Sequence, residues 1–280
     1  MKKGNSFRIG ISAIVLLLLL NSCHKDIYSW DHFPDPLAGK NQVAEYHLTQ
    51  FDQYFTQPLH YLFGKKFDHS GKVEEIICSF TADLLPSMVL PFQLDLHIID
   101  KGRKVYLLTL DTIGHGAPDT SAIIYLNAEG RPDSCVGNYR LLPSIAPVKT
   151  AWEKEFYYYK DHRVFAVRTD NFFANNFFLS SIDTIRYDRF GNPLSFAGNS
   201  YEYDYSRKAK LQFYADDYMQ NLDEFYLLQY LGYFPEITSP PNVRTRFSTV
   251  VGSLTITNHQ FDAEGRLIYY DGASITWNGH

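Results

Sequence analysis

Tyr187-Asp188-Arg189-Phe190-Gly191-Asn192 reads as an apolar residue, an Asp or Asn, two variable residues, a Gly and a polar residue. The same form recurs as Phe67-Asp68-His69-Ser70-Gly71-Lys72, Leu126-Asn127-Ala128-Glu129-Gly130-Arg131 and Phe261-Asp262-Ala263-Glu264-Gly265-Arg266. Leu110-Asp111-Thr112-Ile113-Gly114 fits the beginning but lacks the polar ending. The spacing has a direct physical reading. Asp68, Asn127, Asp188 and Asp262 stand at the first corner of a type I turn, where the side-chain oxygen accepts a backbone N–H two residues on. Gly71, Gly130, Gly191 and Gly265 stand where a positive φ returns the chain to antiparallel pairing through a G1 bulge. Each copy is therefore expected to be a hairpin tip.

Working outward, Asp100-Lys101-Gly102 and Asp161-His162 add shorter turn signals beside the strand-like runs 105–110 and 164–168. Hairpins joined in series make a meander. The expected fold is mainly β: an antiparallel meander forming a twisted open sheet or half-barrel, with one or two short helices. The best helix is 217–231. Tyr218, Leu222, Phe225 and Leu228 share one face, Asp216 or Asp217 can cap its start, and Gly232 with Pro235 ends it. That single apolar stripe implies a sheet beneath it, on the concave or edge side. A second helix is expected over 41–57 from Val43, Tyr46, Phe51, Tyr54 and Phe55, ending at Pro58. The strand pattern resumes at 253–261 and runs to Trp277, so the terminal strand is expected to close the domain.

The chain has 280 residues, 45% apolar, 16% aromatic and 20% charged, with three cysteines. Those values exclude collagen, low-complexity disorder and a disulfide-dense miniprotein. At the N-terminus, Lys2, Lys3 and Arg8 precede an apolar run over 9–20 that is too short for a permanent bilayer span. Leu20-Asn21-Ser22-Cys23 follows, and it resembles the bacterial lipoprotein signal. The resemblance implies cleavage before Cys23 and acyl chains, palmitate among them, on that cysteine; the alternative is a plain secretory peptide or an uncleaved anchor helix. The expected organisation is a signal peptide over 1–22, a tether over 23–40 containing Pro34, Pro36 and Gly39, and a β-hairpin-repeat domain over 41–280. His24-Lys25 lacks the Asp of an inner-membrane retention signal, which favours a lipid-anchored place at the outer membrane, on either the periplasmic or the cell-surface side. Loss of Lys2, Lys3 and Arg8 takes the formal charge from −5 to −8, with 23 basic against 31 acidic residues. Such a chain repels phosphate backbones, so no nucleic-acid partner is expected, and membrane contact should come through lipid.

Tyr187-Asp188 with Leu194, and Phe261-Asp262 with Leu267, give the repeat a style that resembles the YD or RHS-type β-hairpin repeat. Together with the leader and the inserted helix, the pattern is similar to a family of bacterial outer-membrane lipoproteins of unassigned function. The copies lie about 60 residues apart in the first half, which implies one open sheet rather than an encapsulating spiral. The resemblance brings no catalytic residue.

Nor does the sequence supply one. It contains no Gly-x-Ser-x-Gly elbow, phosphate-binding glycine loop, His-Glu-x-x-His helix or zinc-ligand spacing, so no metal or cofactor is expected. His115, between Gly114 and Gly116, is the one histidine placed in a flexible loop; Glu74-Glu75 and Asp216-Asp217 do not form a dyad. Cys78 and Cys135 stand either as a disulfide pair or as two small apolar core residues. Trp152, Phe156, Tyr157, Tyr158, Tyr159, Phe165, Phe172, Phe173, Phe177 and Phe178 crowd into 27 positions. Because Tyr157, Tyr158 and Tyr159 are consecutive in a strand, they are the candidate binding surface for an envelope protein or glycan, against the alternative that aromatics fill both faces of a sheet. Three functions follow: a non-enzymatic binding or scaffold module, a carrier of lipid or another apolar ligand in the sheet's hollow, and an envelope hydrolase. An exposed aromatic row favours the first, an apolar cavity under the helix the second, and a cleft of converging polar side chains the third.

Overall fold

A computed structural model describes residues 36–38, 42–50, 59–85, 88–109, 119–138, 151–173, 175–208, 210–214, 224–248 and 253–278. Cys23, His115 and the start of the helix expected over 217–231 lie outside the described residues. The strands are β1 (Val43–Gln50), β2 (Leu59–Phe67), β3 (Val73–Leu85), β4 (Met88–Asp100), β5 (Lys104–Thr109), β6 (Asp119–Leu126), β7 (Pro132–Asn138), β8 (Ala151–Lys160), β9 (Arg163–Phe173) and β10 (Asn176–Thr184). Then come β11 (Arg186–Tyr187), β12 (Pro193–Phe196), β13 (Asn199–Lys208), two short helices α1 (Glu224–Leu231) and α2 (Pro235–Thr238), β14 (Asn242–Ser248), β15 (Ser253–Thr255), β16 (His259–Phe261), β17 (Leu267–Tyr270) and β18 (Ala273–Trp277).

Strands β1 to β10 pair in chain order, β18 pairs with β1, and β17 and β16 follow it, giving a 13-stranded antiparallel sheet. Strands β11 to β15 form a second meander of five. The sheet is open: β10 and β16 are its edges. The last strand closes the chain's course by lying beside the first, Tyr46 facing Ile275 on one side and Phe63 on the other.

Each hairpin tip follows the same local chemistry. Asp68 Oδ1 accepts the N–H of Ser70 at 2.8 Å and of Lys72 at 2.9 Å; Asp188 Oδ1 accepts from Phe190 and Asn192 at 2.8 and 2.9 Å. Asn127 does the same for Glu129 and Arg131, and Asp262 holds the N–H of Arg266. Gly71, Gly130, Gly191 and Gly265 have φ of 83°, 81°, 91° and 78°. At Gly130 nothing lies within 4 Å of where a Cβ would stand, so backbone conformation alone forbids a side chain there. Gly130→Val should cost more than about 1 kcal/mol, whereas Lys72→Ala, which removes an exposed ion pair with Asp100, should be near neutral by chemical denaturation.

The sheet is curled around α1. Phe225 packs on Tyr157 of β8 and Phe196 of β12, with centroids 6.1 and 4.8 Å away, while Tyr230 packs on Phe63 of β2 at 5.0 Å. Six strand spacings separate β2 from β8, about 29 Å on a flat sheet, yet a helix of eight residues is only about 12 Å long. One short helix reaches both because the sheet wraps it. Phe225, Leu227, Leu228, Gln229, Tyr230 and Leu231 are all buried, so the burial of α1 is wider than one apolar stripe. It ends in a Schellman pair, Tyr233 N–H to Leu228 O and Gly232 N–H to Gln229 O, both 2.9 Å.

Two expectations are corrected. Residues 43–50 form strand rather than helix: after a bulge at Val43, Tyr46 and Leu48 point into the core and Glu45, His47 and Thr49 point out, a period of two; residues 51–57 lie outside the described residues. The tether does not extend to residue 40, because Leu37 is buried and its carbonyl accepts the Val73 N–H at 2.9 Å. Of the two readings left open for Cys78 and Cys135, the pair of buried core residues holds, since they are not bridged. They sit in β3 and β7, four strands apart in the sheet order. Both are buried, and burial pushes the Cys78 thiol up to about 12.

Candidate functional site

Glu153, Glu155 and Tyr157 point into the wrapped interior, so the alternate residues of β8, Trp152, Lys154, Phe156 and Tyr158, form its outer face. Cross-strand register carries that face onto β9 and β10. Trp152 stands opposite Phe172, and Phe172 opposite Phe177. The Trp152 and Phe172 rings stack 3.8 Å apart at 2° between planes, and Phe177 meets Phe172 edge-on at 5.9 Å. Further along, the Arg168 guanidinium lies 4.1 Å from the Phe156 ring centre and pairs with Asp170 at 3.1 Å. Tyr158 and Phe165 complete the row with centroids 6.5 Å apart.

Strand β10 is exposed on both faces. Phe177 and Ile182 belong to the outer face and Leu179, opposite Asn171, to the inner one; they are 60, 63 and 54% exposed. Phe178, at 76%, is the extra residue of a bulge between Phe177 and Leu179. The hairpin therefore overhangs the body. Removing several large apolar side chains from water is worth roughly 1.5–3 kcal/mol each, and the fold does not realise that gain here.

The consecutive tyrosines divide as pleating demands. Tyr157 is buried, contacts Phe225 and Phe234, and donates its hydroxyl to Glu155. Tyr158 alone faces out. Tyr159 donates to Pro132 O at 2.7 Å under the Arg131 guanidinium, and burial pushes its hydroxyl well above the usual phenol range. The candidate surface thus shifts from Tyr157–Tyr159 to Trp152, Tyr158, Phe165, Phe172, Phe177 and Phe178, joined by Leu179 and Ile182. The last two escape a sequence reading because they lie beyond the aromatic cluster; the signal for them is a run over 171–182 with no charged residue in a chain that is 20% charged.

The interior's polar groups are enclosed. Arg131, the sixth residue of its repeat, and Glu236 of α2 are each 2% exposed and joined at 2.6 Å; Glu236 also accepts the Val164 N–H at 3.0 Å, and Arg131 donates to His162 O. Arg244 lies between the rings of Tyr201 and Tyr214, 4.3 and 4.7 Å from their centres. Lys65 donates to Gln42 at 2.9 Å beneath Tyr230, and burial lowers its ammonium to about 7. Nothing in the pattern of neighbouring residues marks these side chains as pointing inward. Among the described residues no group of three His, Cys, Asp or Glu is placed to hold a metal ion.

No family model and no curated protein matches the chain. Among the solved structures that match it are a porin-like protein from Bacteroides uniformis, with a TM-score of 0.55, 9% identity, 84% of this chain and 98% of that one covered, and a porin-like protein from Bacteroides vulgatus, with a TM-score of 0.28, 10% identity, 85% and 99% covered. The first likeness is one of fold. Transmembrane barrels carry an apolar exterior around a polar lumen, whereas here Phe63, Ile76, Leu107 and Ile124 point in and Glu45, Lys66, Glu75 and Lys104 point out.

Proposed function

We propose that the protein is an outer-membrane lipoprotein of the cell envelope that binds or scaffolds a partner without catalysing a reaction, and that the β9–β10 hairpin with the outer face of β8 is its contact surface. The observation that carries the reading is the two-sided apolar exposure of Phe177, Phe178, Leu179 and Ile182. The leader ending in Cys23 and the fold likeness to porin-like proteins of Bacteroides support an envelope location. An apolar partner suits the surface better than a glycan, because Trp152 and Phe172 spend their ring faces on each other. A carrier is disfavoured by the filling of the hollow with Phe225, Tyr230 and Phe234, and a hydrolase by the enclosure of Arg131 and Glu236.

Two measurements check this. The mature N-terminal peptide should carry acyl mass on Cys23, and Cys23→Ser should move the protein to the soluble envelope fraction or leave the precursor uncleaved; an unmodified wild-type N-terminus contradicts the anchor. A photo-crosslinking residue at position 178 should give envelope adducts that one at Thr276, exposed on β18, does not. Phe177→Ser with Phe178→Ser should abolish crosslinking from position 158, at a cost in fold stability within about 1 kcal/mol.

A further inference from the structure

Strand directions sort the turns to two ends of the body. The tips at Asp68, Asn127, Asp161 and Asp262, and the bend at Lys101, lie at one end; the β9–β10 tip at Asn175 lies at the other, with the β3–β4 connection. The first end is charged: Lys101, Arg103, Lys104, Glu129, Lys160 and Asp161 are exposed there. At the second, where the β17–β18 turn carries Asp271, residues 171–182 hold no charged side chain between Asp170 and Asp183, and the β3–β4 hairpin reads uncharged over 84–94.

Resting on the contact surface proposed above, we infer that its occupant is a lipid bilayer: the β9–β10 hairpin enters the membrane interface tip first and forms a second attachment beside the acyl chain at Cys23. A protein partner covers one face of a strand, but apolar side chains stand exposed on both faces of β10, which suits a surrounding solvent of lipid. Strand addition along the edge is opposed by the bulge at Phe178. Depth agrees as well. The first charge met from the tip is Asp170, which stands opposite Ser180 and accepts its hydroxyl, about 7 Å along β10 from Phe178, a depth that suits the boundary between headgroups and acyl chains rather than a whole leaflet. The aromatic rings lie where they suit the boundary between headgroups and acyl chains.

The chain between anchor and domain permits this pose. Fourteen Cα-to-Cα steps lead from Cys23 to Leu37, which is fixed near Val73 at the charged end. Extended, they reach up to about 50 Å, more than the about 36 Å spanned by the 11 residues of β9. The tether can therefore run the height of the domain while the hairpin faces the lipid. With a mature charge of −8, taken from 23 basic and 31 acidic residues, attachment must be apolar rather than electrostatic.

The test uses the full lipidated chain in phosphatidylcholine vesicles with bromine on the acyl chains. Phe178→Trp adds an emitter at the hairpin and Ala128→Trp one at the exposed charged end, above the common background of Trp30, Trp152 and Trp277. The added emission of Phe178→Trp should be blue-shifted and quenched several-fold more than that of Ala128→Trp, and molar salt should leave both unchanged. Equal quenching overturns the bilayer as occupant. If quenching is equal while position 178 crosslinks a protein in the envelope, the contact surface stands with a protein partner; if neither occurs, both readings fall.

Discussion

Glu236→Ala should destabilise the protein by about 3–5 kcal/mol, lowering the melting temperature by roughly 10 °C for a chain of this size. The cause is the partner left behind. Arg131 sits 2% exposed over the Tyr159 ring, and with Glu236 gone its guanidinium keeps its charge in a site closed to water. The Val164 N–H loses its acceptor at the same time. Glu236→Gln keeps an oxygen for Val164 and should lose less. Replacing both charges, Arg131→Met with Glu236→Leu, should recover much of the loss, because buried ion pairs often contribute little net stability against apolar residues of similar volume. A double variant as unstable as Glu236→Ala would show that the pair's hydrogen bonds, not the charge that stays in the site, carry the effect.

Phe225→Ala should cost a comparable 3–5 kcal/mol. Its ring touches Tyr157, Phe196 and Phe234, so truncation opens a cavity at the point where the curled sheet, the second meander and both helices meet. A sheet this wide has no opposing layer; α1 supplies the core that a sandwich would draw from a second sheet. The loss should appear as a lower denaturant midpoint with an unchanged slope.

The turn chemistry is legible in the sequence because it is local. Asp188 and Gly191 need only their own neighbours to form a tip, and the meander follows from four such tips. The closing strand's own pattern is legible for the same reason, but its pairing with β1 is not. What fails is long-range. Val43, Tyr46 and Phe51 mimic helical spacing, but pairing of residues 43–50 with β18 and β2 and the bulge after Val43 decide otherwise. Strand β14 escapes notice because Arg244 interrupts its apolar pattern, and only the fold supplies the two tyrosine faces that let an arginine point inward. The aromatic cluster announces a surface but not its face, since Tyr157, Tyr158 and Tyr159 are equivalent until the interior is known. Leu179 and Ile182 look like ordinary core residues in sequence. Their exposure follows from β10 being the sheet's edge beyond the reach of α1.

The proposed contact surface includes Phe178 whereas Phe225 belongs to the core, and one paired measurement separates the two roles. Thermal melts of Phe178→Ser and Phe225→Ala should be run beside envelope photo-crosslinking from position 158. Phe178→Ser should melt near the wild-type temperature and give no envelope adduct, whereas Phe225→Ala should melt far lower. Phe178→Ser melting as low as Phe225→Ala, or crosslinking at wild-type yield, would contradict the account.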